Sequence, residues 1–177
     1  MIETNISLQD GYYLDYLEYL FPRDTKSGAY AVSSVTNIGK LLIAFAKVSD
    51  LPVPEPEARE GFRTVKLALP LVDISQDLQN KWLYYTKGDT ARLQAVLRTE
   101  FNIDFVSYYL RGSAMGVQKK EIIEMFIVSR KLITVDPYEA LHKRVYRMEQ
   151  KKMQEHSRKL LRKANYFEES LDIEGLI

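Results

Sequence analysis

The sequence contains no cysteine, which excludes disulfides, a thiolate nucleophile and Cys-ligated zinc, and gives no reason to expect an oxidising compartment. It has two histidines, His142 and His156, fourteen positions apart. On one helix they would lie about 21 Å from each other, too far to share a metal ion. Long apolar runs are missing too. The longest, Leu41-Leu42-Ile43-Ala44-Phe45-Ala46, is far short of the roughly 20 residues that a bilayer span needs. No basic leader precedes Arg23, the first cation, so no secretory signal is expected and a cytoplasmic location is.

Catalytic motifs are equally scarce. Gly39-Lys40 resembles the end of a phosphate loop, but Ser34 stands where the upstream glycine belongs and Leu41 follows the lysine. There is no G-x-S-x-G, and no carboxylate pair stands out among the 24 acids. The expectation is a protein that is not an enzyme, with no cofactor, no metal and no evident small-molecule substrate.

What is present is a chain of 177 residues, 46% hydrophobic, long enough for one proper core. Its net charge of +1 conceals an asymmetry. Residues 136–166 hold nine cations and four acids, whereas the last eleven residues hold Glu168, Glu169, Asp172 and Glu174 and no cation. Charge of both signs is thus concentrated toward the C-terminus.

Helical spacing between Ser7 and Phe21 predicts a short aromatic helix containing Tyr12, Tyr13, Tyr16 and Tyr19, stopped by Pro22. Ser34 is placed to cap a second helix in which Val35, Ile38, Leu41, Leu42 and Phe45 recur at helical spacing, a run that also suits a buried strand. Prolines 52, 54 and 56 make a loop. Val65, Leu67 and Leu69 alternate as a strand, with Ala29–Ser33 or Trp82–Tyr85 as candidate partners.

After a turn and cap at Lys87-Gly88-Asp89-Thr90, an amphipathic helix runs through Leu93, Leu97, Phe101 and Phe105, with Asn102 or Asp104 as break points. Gly112–Gly116 reads as a loop and Lys119–Ser129 as a helix. Asp136-Pro137-Tyr138-Glu139 then combines Asp at the cap with Pro and Glu in the first turn, the clearest helix start in the chain. The fold class is mainly α (α+β): a helical domain with a small β-sheet or hairpin and a long basic C-terminal helix. Residues 1–115 form a helical body with a small sheet and 116–177 a helix-turn-helix-like C-terminal region with an acidic tail, the alternative being that both make one single domain.

On the last helix Tyr138, Leu141, Val145 and Met148 make an apolar stripe that predicts docking of its first turns. Beyond Glu149 only Met153 is large and apolar until Leu160. In a helix-turn-helix-like arrangement Lys119–Ser129 supports the last helix. Glu139, His142, Lys143 and Tyr146 then face a groove of DNA or RNA, and Lys119, Lys120, Arg130, Lys131, Arg144, Arg147, Lys151 and Lys152 contact phosphates. Arg130–Val135 is longer than the usual turn of three or four residues and lacks glycine.

The plainer reading takes Glu139/Lys143 and Glu155/Lys159 as i,i+4 pairs on a solvated helix. A scaffold reading uses the stripe of Leu160, Leu161 and Phe167 as a seam between copies of the chain. The tyrosines near the N-terminus, with Trp82, Tyr84 and Tyr85, fit a core with hydroxyls at its boundary better than a stacking surface for bases.

The segment Ile122-Ile123-Glu124-Met125-Phe126, then Asp136-Pro137-Tyr138, then Leu141-His142-Lys143-Arg144-Val145-Tyr146-Arg147, resembles the C-terminal part of uncharacterised small proteins of phages and mobile elements of gut Bacteroidetes. That resemblance implies nucleic-acid handling and supplies no activity to transfer.

Overall fold

The structure is a computed structural model that describes residues 2–56, 59–70 and 81–174, with side chains up to residue 163. It is an α+β protein, and it divides into two compact units, Met1–Pro137 and Tyr138–Ile177. The helix Lys119–Ser129, grouped by the sequence with the C-terminal region, belongs to the first unit.

The chain begins with a strand rather than a helix. β1 (Ile2–Gln9) pairs antiparallel with β4 (Phe62–Leu69) in an unbroken register from Ile2 opposite Leu69 to Gln9 opposite Phe62. Ile6 therefore sits across from Val65 and Thr4 from Leu67, all four buried. The expected helix is shortened accordingly to α1 (Tyr12–Leu20). Gly11, at φ 124°, turns the chain from strand to helix in a conformation that L side chains rarely adopt.

The other partner of β4 is β2 (Tyr30–Ala31), which lies parallel to it. The sheet order is β1-β4-β2. Trp82–Tyr84 (β5) does not join this sheet and pairs instead with β3 (Lys47–Ser49), giving a separate two-stranded antiparallel ribbon.

The helical reading of the apolar run at residues 38–45 holds as α2 (Asn37–Phe45), but its cap is Thr36, whose Oγ1 accepts from Gly39 N–H. Ser34 lies outside the helix, and Val35 is 83% exposed. Gly39 has a steric reason to be glycine: a Cβ there would stand 1.8 Å from the Ser33 carbonyl oxygen.

α3 (Lys87–Ala114) starts at a capping box in which Thr86 and Asp89 each bond the other's backbone N–H. It passes unbroken through Asn102 and Asp104 and absorbs Gly112-Ser113-Ala114, expected to be loop. Neither polar residue removes a backbone donor, and Asp104 has Arg130 as a partner, so nothing there forces a break. Gly112 allows close packing of α4 (Lys119–Ser129), since a Cβ on it would meet Ile122 Cγ1 at 2.8 Å.

The core of this unit lies between the sheet and α1, α3 and α4. Ile6, Leu8, Val65 and Leu67 meet Leu14, Leu17, Leu93, Leu97, Phe101, Phe105, Ile122 and Phe126, all at or below 4% exposure. Tyr12, Tyr13 and Tyr16 pack against the Phe101 ring, with centroids 5.1 to 5.4 Å away, so these tyrosines complete the core. Burial and the neighbouring Asp104 carboxylate push the Tyr16 phenol up from its ordinary value.

The second unit is α5 (Tyr138–Glu174), a single helix of 37 residues and so about 55 Å long. It starts one residue after the proline of the Asp136-Pro137 signal.

Candidate functional site

The cations named by the sequence fall into two groups. Arg130 is committed to the first unit. Its Nε lies 2.7 Å from Asp104 Oδ2 and its Nη2 3.0 Å from Oδ1, with the guanidinium 4.9 Å from the Tyr19 ring centroid and 5.4 Å from that of Phe126. The hydrogen bond to Asp104 raises its pKa. At 16% exposure and with both carboxylate oxygens held, Arg130 links α4 to α3 within the first unit. Lys120 lies 3.8 Å from Glu124 on the surface of α4, and Lys131 takes φ 54° just past the end of that helix. Lys119 opens α4 on an exposed position.

The connection from α4 to α5 spans residues 130–137, eight positions, and departs from the short turn of a helix-turn-helix. It is pinned within the first unit by Asp15. This buried carboxylate accepts from the N–H groups of Ile133, at 2.9 Å, and Thr134, at 2.8 Å, and from the Thr134 hydroxyl.

The second group lies on α5. Lys143, Arg144, Arg147 and Lys151 line one open depression with Ala140 and Met148, as positions three, four and seven apart on a helix must. His142 is exposed and stacks on Tyr138, rings 6.0 Å apart and 9° from parallel, and Tyr146 is 60% exposed. From Gln150 to Lys163 every residue is exposed. That stretch carries Lys151, Lys152, Arg158, Lys159, Arg162 and Lys163 against the single carboxylate of Glu155. Met153, Leu160 and Leu161 are open to solvent as well, at 70%, 52% and 62%. The side chain of Phe167 lies outside the described residues.

No family model, curated protein or solved structure matches the chain.

Among the described residues there is no group of three or more His, Asp or Glu side chains that could hold a metal ion, and no helix long and apolar enough to cross a membrane. The first unit does contain a feature that the sequence reading missed, a cavity of about 660 Å³. One wall is β1, from Glu3 to Ser7 and Gln9. The floor is the face of α3 that carries Thr90, Ala91, Gln94 and Ala95, and the far side is β5 with the proline loop at residues 53–56. Its sequence signal was the small-residue spacing Ala91/Ala95 on the α3 face away from Leu93 and Leu97. That signal has meaning only once a strand is known to lie opposite.

Proposed function

We propose that this chain is a nucleic-acid-binding protein whose phosphate-contacting element is the basic stretch of α5. The observation that carries the reading is the run from Gln150 to Lys163, exposed at every position, with six cations against one carboxylate. A polyanion gains most from such a surface, because each phosphate neutralised releases condensed counterions. Lys143, Arg144, Arg147 and Lys151 extend the same positive surface toward the start of the helix.

The test is a shift assay with a 20-base-pair duplex and with a 20-nucleotide single strand, titrated with salt. The expected slope of log K against log salt is about −0.9 per duplex phosphate neutralised, and about −0.7 on the single strand. Replacing Lys151, Lys152, Arg158 and Lys159 by alanine should flatten that slope by up to the share of four phosphates. Absence of binding at low salt, or an unchanged slope in the variant, rejects the proposal.

A second reading, assembly of copies of the chain through α5, has its own observation. Met153, Leu160 and Phe167 recur at intervals of seven, and the first two are exposed. Sedimentation of the wild-type chain decides it: a monomer at micromolar concentration rejects assembly, and a dimer that Leu160→Lys dissociates supports it.

A further inference from the structure

We propose that the groove along β1 binds an extended, acidic polypeptide segment of another protein, which adds to the three-stranded sheet as a further strand. Asp10 N–H bonds the Gly61 carbonyl at 2.9 Å, on the β4 side, whereas Gln9 N–H bonds Gln94 Oε1 at 2.9 Å, on the opposite side. Along a strand these directions alternate, and the β1–β4 register runs without a bulge. The N–H and C=O groups of Ser7, Asn5 and Glu3 therefore face away from β4, into the groove. Those of Asn5 and Ser7 have no hydrogen-bond partner among the described residues. An open edge of this kind is a template for strand addition.

The groove is shaped to accept one. Ala91 and Ala95 keep its α3 floor low, and its volume of about 660 Å³ falls within the roughly 300–1,000 Å³ of binding clefts. Gln94 supplies a second and independent sign of a missing ligand. Its amide is oriented by the Gln9 N–H bond to Oε1, and this leaves Nε2 buried in the wall with no acceptor. A buried donor without a partner costs about 1–3 kcal/mol, and a carbonyl oxygen of an incoming strand satisfies it once the Gln94 side chain shifts to expose that amide. Trp82 and Phe62, 43% and 40% exposed, offer apolar contact to alternate side chains of that strand.

Charge selects the partner. Arg59, Lys87 and Arg98 line the groove, and of its two carboxylates Glu3 is already ion-paired with Lys66, which leaves Glu55. Acidic side chains on the incoming segment complement this rim. A nucleic-acid strand shares the negative charge but lacks the alternating N–H and C=O groups that match Asn5 and Ser7, which is why the observations favour polypeptide.

The experiment uses the full chain with a fluorescein-labelled heptapeptide of alternating glutamate and valine, read by anisotropy and by amide exchange at Asn5 and Ser7. Binding should slow exchange of both amides at least ten-fold. Ala91→Trp, which fills the groove from an exposed position, should weaken binding at least ten-fold, and so should N-methylation of alternate peptide residues. A lysine–valine counterpart should bind at least ten-fold more weakly. Ser7→Pro provides a second variant, because it removes one outward donor and keeps the ladder to β4.

Failure to bind overturns the proposal. So does binding that survives Ala91→Trp and is lost on replacing Lys151 and Lys152 by alanine, which places the peptide on α5. Stronger protection of the same amides by a ten-nucleotide thymidine strand also overturns it, in favour of nucleic acid in the groove.

Discussion

Arg130 chelates Asp104, its Nε and Nη2 each within 3.0 Å of a different carboxylate oxygen, and in doing so ties the end of α4 to the middle of α3. Three aromatic rings, Tyr19, Tyr108 and Phe126, lie within 5.6 Å of its guanidinium carbon. Because the pair is largely desolvated, removing one member strands the other. We expect Arg130→Met to cost about 2–3 kcal/mol, below the 3–5 of a fully buried pair because both groups keep some exposure. Arg130→Lys should recover little, since an ammonium cannot hold two oxygens in the plane of the carboxylate. Urea unfolding measures the loss. The salt slope of nucleic-acid binding should stay as in the wild type, and a flatter slope would return Arg130 to the interface.

Asp15→Ala removes the acceptor of three hydrogen bonds from Ile133 and Thr134. The expected destabilisation is about 2–4 kcal/mol, as bonds to a charged group contribute about 1.5–3 each and water repays part of the loss at a half-open loop. Amide exchange at Ile133 and Thr134 should accelerate well before that of Leu97 or Phe105. Equal acceleration throughout would show that Asp15 acts on the whole fold rather than on the loop.

Two helical glycines should respond unequally to alanine. At Gly39 the new Cβ meets a backbone oxygen at 1.8 Å, which cannot yield without moving the chain, and a loss of about 3 kcal/mol is expected. At Gly112 the obstacle is Ile122 Cγ1 at 2.8 Å, on a buried β-branched side chain with a stiff χ1, so relief takes a small shift of α4; the gain in helix propensity offsets part of that cost and the net loss should be about 1–2 kcal/mol. Reversal of that order in thermal melts would contradict the packing described.

The capping box predicts a pH dependence. The Thr86 hydroxyl donates to the Asp89 carboxylate and holds it below the usual range; burial opposes this, and the Thr86 N–H and the Lys47 ammonium at 3.4 Å reinforce it. A carboxyl whose folded pKa is depressed adds stability above its unfolded pKa and loses it as pH falls through the folded one. The difference in stability between the wild type and Asp89→Asn should therefore be greatest near neutrality and shrink below about pH 4. Constant spacing between the two unfolding curves from pH 7 to pH 3 would refute it.

The legible parts of this chain were those where local spacing and local chemistry coincide. Lys119–Ser129 and the start of α5 were readable because helical periodicity and cap residues lie within a few positions of each other. β1 was obscured because its alternation Ile2, Thr4, Ile6, Leu8 has a threonine at a core position. That Thr4 is tolerated only because its hydroxyl donates to the Leu83 carbonyl, 79 positions away. The same kind of distance hid the role of Arg130: as a residue in a basic run it looks solvated, and only the fold places Asp104 against it. The groove was invisible for a related reason, since Asn5, Ser7, Ala91 and Gln94 are unremarkable until two elements face each other.

The bond between Asp15 and the loop at residues 133–134 also bears on how the protein is made. Arg63, whose Nη2 lies 3.8 Å from the Asp15 carboxylate, follows α1 within the same half of the chain, yet the hydrogen-bond donors to that carboxylate are synthesised 118 and 119 positions later. Until then Asp15 has only that ion pair and water, which keeps that side of α1 from closing fully over it. A nascent chain stopped short of Thr134 should accordingly remain open to proteases at α1, and protection should arrive abruptly once Ile133 and Thr134 have cleared the exit tunnel.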